Sequence, residues 1–311
     1  MKRMTIIGLL LLLLLWLTAC KDRELSYALQ AEVTVTADWS GAGMEEESNY
    51  GATLLFYPQD GGEPRLALMG DRKQATLRLA KGSYDVILFN RSFDDFGSVA
   101  FRGQDRLETL EAYARKVETR TGTRVIVSPP EKIAAAVMRD FDVEQEKCRL
   151  HLEPVLLTRK MEVRLNVKGL QNVRRARCVL QGMPLSMLLH NGQAGSETGG
   201  QEFALGNPAF EPGSLTDGTL TGTLNTFGAE EETLHAIEVE VLLVDGKTIV
   251  KQTMTDISFK EETDGEGNIV IRLEADIPEP LPDVKPEGGS GSGFDADVDD
   301  WDEEHTQEVP V

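Results

Sequence analysis

The sequence is poor in the residues that carry chemistry. Its 311 residues hold four histidines, at 151, 190, 235 and 305, with no shared ligand spacing. A lone histidine on or beside a strand is ordinarily structural or solvated, so these four do not make a metal site. Neither HExxH nor GxSxG occurs, which removes the zinc-protease helix and the nucleophile elbow. Gly246-Lys247-Thr248 matches the close of a phosphate loop, but Val241 stands where the leading glycine belongs and a strand pattern follows. We therefore expect no catalytic residues, no metal and no cofactor. Basic residues are also in deficit. Lys and Arg number 32 against 52 Asp and Glu, a formal charge of −20, which argues against nucleic acid or anionic lipid as the main partner. Long apolar runs are absent beyond the first twenty residues, so no later segment is expected to cross a bilayer.

Cysteine is sparse as well, at positions 20, 148 and 178 only. The first closes a three-part start: Lys2 and Arg3, an apolar run from Ile6 to Leu17, and Thr18-Ala19-Cys20. This is the pattern of a secretory signal, too short to span a membrane, which takes roughly 20 apolar residues. Leu17-Thr18-Ala19-Cys20 resembles a bacterial lipobox. The resemblance implies cleavage after residue 19 and lipidation of Cys20, with Lys21 to Glu24 opening a charged tether over 20–30. Several acyl chains on one cysteine make a firm anchor, because each buried methylene adds roughly 0.8 kcal/mol. The expected localisation is the outer membrane, held by lipid and exposed at the cell surface. Cys148 and Cys178 remain in a compartment where disulfides form. Each alternates with apolar neighbours and faces an apolar side. They either pair across neighbouring strands, as a candidate disulfide, or stand as two separate core thiols.

The mature chain of about 290 residues suggests two domains, and most of it reads as short strands. Residues 31–38 alternate, with Val33 and Val35 on one face. Residues 52–58 form an apolar run closed by the turn Asp60-Gly61-Gly62, then 65–69, 75–80 and 83–90 follow. Five strand signals in sixty residues suggest a small sandwich. Two stretches read as helices. In 104–117, Leu107, Leu110, Ala114 and Val117 share a helical face. In 128–139, Ser128, Pro129 and Glu131 supply an N-cap, a first turn and a capping box. Strands at 123–127 and 147–157 flank the second of these. After Thr158-Arg159-Lys160 a second strand series begins: 161–167, 173–181, 234–244, 247–256 and 268–274, with a Gly-rich stretch across 182–223. The expected division is thus 31–157 and 160–277.

Beyond Ile277 the composition shifts to four prolines, then GGSGSG, then DADVDDWDEE. Residues 279–311 read as a stiff spacer, a flexible spacer and an acidic tail, expected to be disordered. Asp295, Asp297 and Asp299 alternate as in a calcium loop, but Asp300 replaces the required glycine and Thr306 the closing glutamate. Trp301 sits alone among acids, the mark of a short docking segment or of a solvated tail. Three further aromatics, Trp39, Tyr50 and Phe96, are candidate ligand-contact residues, since aromatic faces stack on sugar rings. Core or rim packing is their plainer reading.

Several segments together carry a family resemblance: the lipobox and tether, Asp38-Trp39 closing the first strand, LLFYPQDGGE, LAKGSYDVILFNRSFDDFGSVAFRG, VLQGMPLSMLLHNG, and LTGTLNTFGAEEETLHAIEVEVLLVDGKTIVKQTMTDIS. The chain resembles a family of Bacteroidota lipoproteins related to the fimbrillin-like anchor and accessory proteins of type V fimbriae. The likeness runs from Cys20 to about Ile277, and Gly82-Ser83-Tyr84 is similar to that superfamily's turn-into-strand signature. It implies a mainly β fold of two tandem transthyretin-like β-sandwich domains, to which the residue patterns add short helical insertions and the acidic tail. It also implies a non-enzymatic surface lipoprotein that anchors, decorates or assembles a fimbria-like filament. The expected partners are the membrane, through the lipid, and fimbrial subunits that join by strand addition. The expected docking edges lie beside strands 31–38 and 234–244. The rival reading is a glycan- or nutrient-binding outer-membrane lipoprotein, which requires Trp39, Tyr50 and Phe96 to converge on one patch.

Overall fold

The computed structural model describes residues 30–44, 50–117, 124–229, 235–257, 259–265 and 269–287, with the backbone of 307–308. The signal segment, Cys20 and the acidic run lie outside the described residues. The chain is mainly β. Before Arg159 the strands are β1 (Gln30–Ala37), β2 (Ala52–Pro58), β3 (Arg65–Met69), β4 (Gln74–Ala80), β5 (Gly82–Asn90) and β6 (Val99–Arg102). They continue as β7 (Glu111–Ala114), β8 (Lys116–Val117), β9 (Ile126–Val127), β10 (Ala134–Val143), β11 (Lys147–Leu152) and β12 (Val155–Leu156). The second half holds β13 (Arg159–Lys168), β14 (Val173–Pro184), β15 (Ser186–Leu188), β16 (Thr198–Phe210) and β17 (Asp217–Thr226). It closes with β18 (Ala236–Leu243), β19 (Thr248–Thr255), β20 (Lys260–Thr263), β21 (Ile269–Asp276) and the short β22 (Gln307–Glu308).

In the first half, a sheet ordered β11-β1-β4 packs on a sheet ordered β12-β10-β5-β2-β3. Alternation decides which residues meet. Val33 and Val35 of β1 face Leu54 and Phe56 of β2 and Val86 and Leu88 of β5, all fully buried in one core. Tyr84 closes its lower end: its hydroxyl donates to the Ala80 carbonyl, 2.9 Å away and four residues upstream. Tyr84→Phe removes that donor and keeps the ring. We expect a loss of about 1 kcal/mol in urea denaturation.

The second half is one long sheet ordered β20-β21-β13-β17-β16-β14-β18-β19-β22. It folds over at the register shift between Gly206 and Ala209, so β13, β17 and β21 face β14 and β18 across a second core. Most glycines of the Gly-rich stretch lie in β14, β16 and β17, with Gly192, Gly195 and Gly213 in the connections. A side chain at Gly218 would meet the Ala209 carbonyl at 2.3 Å, and one at Gly222 the Phe203 ring at 2.8 Å. These glycines serve close strand approach rather than loops.

The two halves exchange strands. β15, from the second half, pairs with β7 of a small sheet ordered β15-β7-β6, while β9, from the first half, pairs with β16. A third core fills the join, with Phe89, Leu107, Leu110 and Ile133 from one side and Leu185, Met187, Leu189 and Phe227 from the other.

Both expected helices are corrected. Residues 104–117 form a single 3-10 turn (Leu107–Thr109) and then β7 and β8. Ala112 and Ala114 are buried while Glu111 and Tyr113 are half-buried, the period of a strand. Residues 128–133 form neither helix nor strand, and 134–143 are β10. The run AAAV is a strand buried on both faces, with Ala134 and Ala136 in the first core and Ala135 in the third. Glu131 caps no helix of its own. Its carboxylate accepts from Gly97 N (2.6 Å), Ser98 N (3.0 Å) and Ser98 Oγ (2.5 Å).

The tail is corrected in part. Residues 279–287 are ordered against the second core, where Leu281 is 5% exposed and its N–H donates to Lys168 O. Asp283 accepts from Asn172, and Glu287 N–H donates to Val244 O. The leucine within the Pro-rich spacer is a core residue.

Candidate docking site at an open sheet edge

The strands expected at sheet edges are interior. β1 lies between β11 and β4, and β18 lies between β14 and β19. One open edge beside the join between the halves belongs to β10. On one side β10 bonds to β5. On the other, β12 covers only Ala134 and Ala135. Ile133 O accepts from Leu157 N at 2.8 Å on that side, whereas Ala134 N points the opposite way, to Asn90 Oδ1. Antiparallel strands alternate the side to which each residue's N–H and C=O point, so the backbone groups of Val137 face the open edge. The edge ends at a register shift between Met138 and Phe141, with Asp140 at φ 54°.

The facing sheet is open on the same side. Glu32 N and Asp38 N donate to Glu146 O and Leu152 O of the β11 strand and its approach. By the same alternation, the backbone of Arg149 and His151 points away from β1. Between these edges runs a groove of about 500 Å³, lined by 135–138, 151–153, Val155, Leu157 and, from the second half, 189–191. Its floor is apolar. Val155 is 53% and Met138 38% exposed. Its rims are polar: His151 Nδ1 lies 2.9 Å from Thr36 Oγ1, and His190 Nδ1 is buried with no hydrogen-bond partner in the described structure. An extended chain in this groove would gain backbone bonds at Val137 and apolar contact with Val155.

The remaining candidate residues sit elsewhere. Cys148 and Cys178 are free thiols. They lie on β11 and β14, in different sheets, with Cys148 at the rim of the first core and Cys178 inside the second. They therefore do not form the candidate disulfide. Burial pushes the Cys178 thiol well above its ordinary range, with Glu238 adding to the effect, so it is inert. Trp39 is 2% exposed, its Nε1 donates to Arg72 O at 2.9 Å, and the Arg72 guanidinium lies 4.2 Å over the ring. Tyr50 and Phe96 do come together, 4.3 and 5.5 Å from the Arg91 guanidinium. Phe96 is buried, so only Tyr50 offers a face. The three aromatics do not form a stacking platform. Among the described residues no cluster of His, Cys, Asp or Glu could hold a metal, and no helix is long and apolar enough to cross a membrane. Asp295, Asp297, Asp299 and Trp301 lie outside the described residues.

Glu131 locks the small sheet over the third core. Burial alone would raise its carboxyl, but the bonds from Ser98 and Gly97 outweigh burial and hold it below the ordinary value of 4.5. A depressed carboxyl stabilises the fold above its unfolded value, and that stabilisation is lost as pH falls through the folded value. Thermal melts from pH 7 to pH 3 should show the wild type converging on Glu131→Gln at the acid end, with the wild type more stable at neutral pH.

Fold and groove define a class: a mainly β chain of open, stacked sheets with an unfilled edge. Within that class the chain belongs to the DUF5119 family, described as a domain of unknown function, whose profile matches residues 19–204. A protein of Bacteroides ovatus, provisionally named fimbrium anchoring subunit Fim4B, is 24% identical over 347 aligned residues, covering 99% of each chain. A crystal structure described provisionally as an adhesin, also from Bacteroides ovatus, superposes with a TM-score of 0.56 at 18% identity. It covers 76% of this chain and 87% of that one. The fimbrial anchor protein Mfa2 from Porphyromonas gingivalis gives a TM-score of 0.43 at 12% identity over 68% of this chain and 77% of its own.

Proposed function

We propose that the chain is a non-enzymatic cell-surface lipoprotein that anchors a fimbria-like filament or serves as its accessory subunit. The end-to-end likeness to a relative named for fimbrium anchoring supports this reading. In this reading Cys20 carries the lipid, 20–30 is the tether, and 31–157 and 160–277 are two tandem transthyretin-like sandwiches joined by exchanged strands. The observation that carries the mechanism is the groove beside the free edge of β10. A filament subunit docks there by adding an extended segment: backbone bonds supply affinity, and alternate side chains set the register.

The test is site-specific photocrosslinking in intact cells. A photoreactive residue at position 155 should capture fimbrillin-like subunits, and one at exposed Ile269, on β21 of the second half, should not. Capture of a transporter alone, or of nothing, would overturn the filament reading.

A further inference from the structure

We infer that β1 is a mechanical clamp, which makes the tethered end of the molecule its force-bearing end. The inference rests on the reading that the chain is held through its N-terminal segment. β1 is the first described strand after that segment, and it sits in the middle of its sheet. It pairs with β4 from Gln30↔Ala80 to Thr36↔Gln74, and with β11 from Glu32↔Lys147 to Ala37↔Leu152. Its inward side chains Ala31, Val33 and Val35 have no exposed surface.

The two ends of β1 lead in opposite directions. Gln30 lies beside Ala80, at the turn into β5. At the other end Ala37 N–H donates to Lys73 O, and Asp38 N–H donates to Leu152 O. Leu152 leads directly into β12 and β13, and so into the rest of the molecule. A pull on the tether therefore draws β1 one way while β11, its parallel neighbour, is held from the other. Ladder hydrogen bonds run across the strands, so this pull loads the bonds to both neighbours together. Opening the same ladder from one end would break them in sequence. Resistance to forced unfolding follows the unfolding barrier rather than equilibrium stability, and simultaneous rupture raises that barrier.

Two attachment geometries on the full-length chain separate these cases in single-molecule force spectroscopy. One handle is fixed at the N-terminus in both. The second is placed at exposed Lys73 or at exposed Lys81, which flank β4 at its two ends. The Lys73 geometry shears β1 against β4, and the Lys81 geometry peels them apart from Gln30. At equal loading rate we expect the shear geometry to rupture at about twice the force or more. A smaller ratio, or release of β1 at low force in both geometries, overturns the clamp. The readout needs no filament partner, so failure of the docking reading leaves the ratio unchanged.

Discussion

Replacing Phe89 with alanine is expected to lower the stability of the whole chain by about 3–5 kcal/mol. Phe89 has no exposed surface and lies in the third core. Its ring centroid is 5.2 Å from that of Phe93 and 5.5 Å from that of Phe101, which in turn contacts Phe96 at 5.1 Å. Truncation removes the transfer energy of one large ring and leaves a cavity between elements that cannot collapse freely. The location matters as much as the size. The same core holds Leu185, Met187 and Phe227 from beyond Arg159, and β15 and β9 cross between the halves. The loss should therefore not stay in the first half. Trp39 emission reports the first core, and labelling of Cys178 reports the second. In urea the two transitions should coincide in the wild type and shift together in Phe89→Ala. Separate transitions would show two independent units.

The second large effect concerns docking. Val155→Arg should cut recovery of filament subunits from cells at least tenfold, about 1.4 kcal/mol, while leaving the melting temperature unchanged. Val155 is half exposed on a strand of two residues, so the folded chain tolerates a charge there. A docked segment would cover that charge without a partner, which is costly. Leu66→Arg is the control. Leu66 is 46% exposed on β3, the opposite edge of the same sheet, and its replacement should leave recovery intact.

How far the fold is legible depends on how each strand is buried. β1 and β4 follow from alternation, β2 and β5 from short apolar runs bounded by turn residues, and β3 occupies the expected 65–69. Strands buried on both faces lose the alternation that marks them. AAAV therefore resembles a helix, and the docking edge was hidden with it. β16 and β17 carry glycines because sheet leaves meet closely there, and a Gly-rich stretch shows no strand alternation in sequence. Edge positions are hard to read from sequence for a different reason. The strands with the clearest one-sided alternation, 31–38 and 234–244, are interior, each paired on both sides. Open edges fall on β10 and β11, which are set by pairing partners far along the chain. The absence of ligand spacing among the histidines was plain in sequence. That His151 and His190 come to the rims of one groove was not, since the fold alone brings them there.

The most direct test of docking in the groove is photocrosslinking from position 155 in intact cells, read by mass spectrometry, beside a second probe at Leu66. Fimbrillin-like subunits are expected joined to residue 155, with the crosslinked peptide drawn from one extended segment of the subunit, and none joined at Leu66. Subunits captured at Leu66 and not at 155 would contradict the groove, and no filament subunit at either position would contradict the anchoring role itself.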